Sequence, residues 1–154
     1  MRKLFISLLF VLTSFPVFGQ DTNQLNTMII DCLQTYSVHA LDLSPGEGNV
    51  VVCKDGLPSD FPYSRFTSIA FFSTDCFWSY SNPLKKQLKK NIPALFVSFE
   101  LDNNLLKITI SKKYVRLLNR KTLSIALSDW GQFVYIYSCE ENKWKLMDIK
   151  YGGV

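Results

Sequence analysis

The chain has 154 residues, with 17 Lys and Arg against 13 Asp and Glu, and one histidine, for a formal charge of +4. That length suits one domain with a real core, so the four cysteines are not needed as staples. A single histidine and the absence of any Cys-x2-Cys spacing exclude the usual structural zinc site.

Arg2 and Lys3 precede the largely apolar run Leu4 to Val17, and Val17-Phe18-Gly19 then offers a small-residue cleavage site before Gln20. Charge, apolar core and cleavage site in that order predict a signal peptide over residues 1–19. The run is shorter than the roughly 20 residues that span a bilayer. No cysteine follows it to carry a lipid, and no later stretch is long enough to cross. The expected product is therefore exported, periplasmic or secreted, with one domain over residues 20–154. Export permits disulfides. Cys32, Cys53, Cys76 and Cys139 allow three full pairings, and burial as small hydrophobes remains the alternative.

Leu25, Met28, Ile29, Cys32, Leu33, Tyr36 and Ala40 recur at three- and four-residue steps, which predicts a helix over 22–40. Asp21, Thr22 and Asn23 supply capping side chains. Ser44-Pro45-Gly46-Glu47-Gly48 reads as a loop. Val50 to Cys53 is a short β-prone run, Asp55-Gly56 a turn, and Phe66 to Ser73 a strand. A second helix starts at Asn82-Pro83, sets Leu84, Leu88 and Ile92 against Lys85, Lys86, Lys89 and Lys90, and stops at Pro93.

From Ala94 the period becomes two. Five strands are expected, around 94–101, 106–110, 123–127, 133–137 and 144–149, with turns at Asp102-Asn103-Asn104, Ser128-Asp129-Trp130-Gly131 and Glu140 to Lys143. The predicted fold class is α+β, with two amphipathic helices packed on one side of an antiparallel, meander-type sheet.

Helices first and a closing meander resemble the nuclear-transport-factor-2-like and cystatin-like folds. Tyr135-Ile136-Tyr137 and Lys143-Trp144-Lys145-Leu146 resemble the last hairpin of the former, which implies a curved sheet closed by helices into a cone-shaped pocket. The third helix usual in that fold finds no place here. With its Ser128-Asp129-Trp130-Gly131 and terminal Tyr151-Gly152-Gly153, the chain also looks like small exported proteins of unassigned function from Gram-negative bacteria, a likeness that implies a compartment and no activity.

Charge is uneven. Residues 21–84 carry seven acids against Lys54 and Arg65, whereas residues 85–121 carry ten cations against Glu100 and Asp102. A clustered positive field attracts anionic lipid, lipopolysaccharide or acidic glycans, and nucleic acid is a poor partner for an exported chain. The plainer reading is a solvated helix face and strand edges guarded by lysine.

Eight aromatics, including Phe71, Phe72, Phe77 and Trp78, crowd residues 61–80. They suit a core, or stacking on sugar rings. Trp78 here, and Trp130, Tyr135 and Tyr137 on the sheet, are the candidate binding residues.

No catalytic constellation stands out. Cys32 precedes His39 by seven residues, roughly 10 Å by helix rise and too far for a hydrogen bond. His39 suits the negative end of its helix. Asp75, Glu100, Asp102 and Asp129 fall mostly in turns, where Asp is common for local reasons. Nucleophile-elbow, zincin, phosphate-loop and dinucleotide motifs are missing.

The expectation is thus an exported, non-enzymatic binding or interaction domain without cofactor or metal, its partner a protein, a glycan or another anionic surface. The alternatives are a pocket enzyme of the nuclear-transport-factor-2-like type, with His39 and an acid in one cavity, and an inhibitor or immunity-like protein presenting a one-sign patch.

Overall fold

The computed structural model describes residues 22–41, 50–66, 69–75, 82–119 and 122–153. The leader over 1–19, the loop Ser44 to Gly48, Cys76 and Trp78 lie outside these residues. Helix α1 spans Thr22–Leu41 and buries Met28, Ile29, Cys32, Leu33 and Tyr36, leaving Thr27, Asp31, Gln34 and Thr35 exposed. The apolar stripe read from spacing is the face that packs.

Strands β1 (Val50–Cys53) and β2 (Ile69–Phe72) are short, α2 covers only Asn82–Leu88, and β3 runs Ile92–Asp102. Long strands β4 (Leu105–Asn119) and β5 (Thr122–Ser138) follow, then β6 (Lys143–Gly153). The sheet order is β2-β1-β3-β4-β5-β6.

The α+β class holds, but the sheet is mixed and not a pure antiparallel meander. β1 lies parallel to both β2 and β3, while β3 to β6 are antiparallel. The expected five-strand meander has four strands, because Ser128-Asp129-Trp130-Gly131 is not a turn. It lies inside the 17-residue β5. Lys112 pairs with Asp129 and Lys113 with Leu127, so Ser128 is an extra residue in a β-bulge. Small and polar residues that signal a turn here mark a bend within a strand. The turn at Asn103 is present, with φ of 55°, and Asn142, with φ of 51°, turns β5 into β6. Asn91, with φ of 60°, swings the chain into β3, so α2 ends at Leu88, short of Pro93.

The helices lie on opposite faces of the sheet rather than on one. Alternate strand residues face opposite ways. Val52, Leu95, Val97, Ile108, Ile110 and Phe133 pack with α1, whereas Val51, Cys53, Ala94 and Val115 pack with Leu84 and Leu88 of α2.

Candidate functional site

A cleft of about 430 Å³ opens where α1 ends against β4, β5 and β6, lined by Tyr36, His39, Ala40, Lys112, Asp129, Trp130, Tyr151 and Gly152. Register builds it. Gly131 pairs with Tyr151, Trp130 with Gly152, and Lys112 with Asp129. Directly paired residues of an antiparallel ladder share a face.

Two glycines make room for two rings. A Cβ at Gly131 would lie 2.6 Å from Cδ2 of Tyr36, and one at Gly152 would lie 2.5 Å from Cζ2 of Trp130. Glycine inside a strand marks close approach. Here it lets the Tyr36 ring settle on β5 and the Trp130 indole on β6.

The polar groups are fixed by each other. The Lys112 ammonium donates to the Ala40 carbonyl at 3.1 Å, capping the end of α1, and meets Asp129 Oδ2 at 2.7 Å. The Lys112 side chain is only 12% exposed. The Ser128 hydroxyl donates to the same Oδ2 at 2.6 Å. The hydrogen bond from Lys112, then that from Ser128, hold the Asp129 carboxyl below the usual carboxylate range.

His39, in the last turn of α1, stacks on Tyr151 with centroids 3.7 Å apart and planes at 21°. Tyr151 lies in turn near the Tyr36 ring, at 6.4 Å and 24°. Among the described residues the buried Tyr36 hydroxyl makes no hydrogen bond of good geometry, although it faces the Lys112 backbone. Its burial, and then the nearby charge of Asp129, push its pKa up to about 12.

The four residues read as binding candidates do not converge. Trp130 lines the cleft, but its indole lies over Gly152, on the sheet face opposite Asp129 and Tyr151. Tyr135 is buried in the α1 core, its hydroxyl 3.2 Å from Cys32 Sγ, so it faces no ligand. Tyr137 lies in a separate open groove of about 860 Å³ at the β3–β4 and β5–β6 turns, with Leu101, Asn103, Asn104, Cys139, Asn142 and Trp144. Its ring meets that of Trp144 edge to face at 5.3 Å. Trp78 is outside the described residues.

No disulfide is present among the described residues. Cys32 and Cys53 are buried free thiols and Cys139 an exposed one. Burial pushes the Cys32 thiol up to about 12 and the Cys53 thiol up to about 11, so neither is a ready nucleophile. Of the acids considered, Glu100 and Asp102 flank Lys107 at 3.2 and 3.7 Å, outside the cleft. Asp75 is exposed, and only Asp129 shares a cavity with His39.

Sequence reading missed Tyr36, Lys112, Tyr151 and Gly152 as site residues. Tyr36 was legible only as part of the apolar stripe. The available signal was glycine at 131 and 152 within β-prone, aromatic sequence. Among the described residues no three His, Cys, Asp or Glu side chains gather in a metal-binding group, and no helix is long and apolar enough to cross a membrane. Comparison with protein-family models, curated proteins and solved structures gives no match to this chain.

Proposed function

We propose that the chain is an exported, non-enzymatic binding domain and that the cleft at the end of α1 is its ligand seat. The observation that carries this reading is the state of the polar groups. Asp129 is engaged by Lys112 and Ser128, and Lys112 by Asp129 and the Ala40 carbonyl. They offer oriented hydrogen-bonding groups without a free acid or an activated nucleophile. Around them stand His39 and Tyr151. Aromatic faces beside a fixed charge pair suit a ring with apolar C–H faces and hydroxyl edges, which is the chemistry of a sugar unit in a glycan.

Calorimetric titration of a panel of neutral and acidic oligosaccharides into the exported protein tests this. Binding that Tyr151→Ala weakens about tenfold, the loss of roughly 1.4 kcal/mol, supports it. Glycan binding indifferent to both Tyr151→Ala and Lys112→Met places the seat elsewhere and defeats the reading.

One observation favours a second reading. His39 and Asp129 line the same cleft, the pairing a pocket enzyme of the nuclear-transport-factor-2-like type requires. Against it, Lys112 keeps Asp129 ionised and unsuited to donate a proton. Turnover of a bound glycan, abolished by His39→Gln with affinity retained, is the outcome that selects the enzyme.

A further inference from the structure

We infer that α2 and the outer half of the β4–β5 hairpin together form a face that docks on an anionic lipid surface. Three observations converge on it.

The first is placement. Leu84 and Leu88 of α2 pack in one cluster with Val115, Leu117 and Leu123 of the hairpin. Val115 pairs with Ile125, Leu117 with Leu123, and Lys113 with Leu127, so these side chains share the α2 face.

The second is exposed apolar area. β6 pairs with β5 only from Asp129 onward, which leaves residues 122–128 as an open edge among the described residues. On it Ile125 is 42% exposed and Leu127 49% exposed. Branched aliphatic side chains left in water on a strand edge gain free energy when an apolar phase covers them.

The third is the sign of the surrounding charge. The two stretches that meet here, residues 82–99 and 113–127, contain no Asp or Glu. Lys86, Lys89 and Lys90 are exposed along and just beyond α2. Lys113 lays its ammonium over the Phe96 ring at 4.5 Å, next to Leu127. Elsewhere on the sheet lysines meet acids, as Lys107 does Glu100 and Asp102, and Lys150 does Asp148. The described residues of this face pair no lysine with a carboxylate.

Cations ringing exposed aliphatic side chains match a bilayer that presents phosphate outside and hydrocarbon just beneath. A soluble polyanion would use the lysines and leave Ile125 and Leu127 in water. An acidic protein would need a shaped partner surface, which nothing here indicates. The lipid surface therefore accounts for both halves of the patch.

The test uses the protein exported with its own leader, floated with phosphatidylcholine vesicles that carry or lack roughly a third phosphatidylglycerol. Binding to the anionic vesicles alone is expected. Each lysine near the surface contributes about a fivefold change in partitioning, so Lys86→Gln/Lys89→Gln/Lys90→Gln lowers it about a hundredfold. Ile125→Ser/Leu127→Ser lowers vesicle binding several-fold and leaves retention on a heparin column unchanged, with the melting temperature confirming a folded chain. Absence of vesicle binding overturns the proposal. So does vesicle binding that the Ile125→Ser/Leu127→Ser chain retains in full, which marks a general polyanion or acidic-protein site instead.

Discussion

The two faces of the sheet are covered by helices of very different length, and each unusual feature lies where its helix runs out. α1 has 20 residues, about 30 Å of helix, and reaches across to β4 and β5. α2 has seven residues, about 10 Å, and shares its cluster with β1, β2, β3, β4 and the start of β5. Under α1, burial extends across the sheet to Phe133 and Tyr135, and the cleft forms beside the last turn, from Tyr36 to Ala40. Beside α2, apolar side chains emerge within a few residues, at Ile125 and Leu127. Strand alternation supplies apolar side chains to both faces, but helix length decides which of them leave water.

That contrast sets an order of effects. Phe133→Ala, at the fully buried centre of the α1 face, is expected to cost about 3–5 kcal/mol in denaturant unfolding. Leu88→Ala removes a fully buried side chain of α2, and its loss belongs at the lower end for leucine, about 2–3 kcal/mol. A Leu88→Ala loss equal to that of Phe133→Ala would break the contrast, because the short helix would then anchor as much as the long one.

The polar atoms of the α1 face sharpen it further. Tyr135 shares a hydrogen bond with Cys32, so Tyr135→Phe should cost about 1 kcal/mol. Among the described residues the buried Tyr36 hydroxyl has no hydrogen bond of good geometry, so Tyr36→Phe should be neutral or stabilising by up to about 1 kcal/mol. A marked loss with Tyr36→Phe would mean that the hydroxyl has a partner after all.

The same groups fix the alkaline behaviour. Cys32, Cys53 and Tyr36 have folded pKa values raised to about 12, 11 and 12 from ordinary values of 9.0, 9.0 and 10.0. Their unfolded forms lose protons first, so folding stability is fully present below pH 9 and falls as pH rises from there towards 12. Melting temperatures across pH 8 to 12 should show that decline, with Tyr36→Phe flattening its part above pH 10. The acid limb has the opposite sign. Asp129 is held low by Lys112 and Ser128. Burial pushes Asp55 up, but hydrogen bonds from Ser73, Thr74 and Cys53 outweigh it and leave it low as well. Both contribute stability above the ordinary carboxylate range that is lost as pH falls through their folded values. The smallest effect belongs to the open β5 edge, where Ile125→Ser should change stability by no more than about 0.5 kcal/mol.

Much of this was legible in the chain. The stripe from Leu25 to Tyr36 predicted α1 and its buried face, and Asn103 marked its turn, because both signals are local. Parallel pairing of Val50–Cys53 was not legible, since which strands become neighbours is decided by packing far along the chain. Ser128-Asp129-Trp130-Gly131 misled because a bulge and a turn use the same residue types. The site was legible in Trp130, His39 and Asp129, whereas Lys112 and Tyr151 meet through the register of three strands and α1 lays Tyr36 on them. Tyr135 and Tyr137, two residues apart and read together, were separated by burial. Tyr135 lies under α1, and Tyr137 lies beyond it in the groove with Trp144.

The central claim is that ligand binds where α1 ends. Two-dimensional amide NMR of the protein, titrated with the tightest oligosaccharide of the calorimetric panel, tests it most directly. The account predicts that the amide signals of His39, Tyr151 and Gly152 shift together with one affinity. Shifts confined to Tyr137, Asn142 and Trp144 would contradict it and move the binding site to the groove at the opposite end of the hairpins.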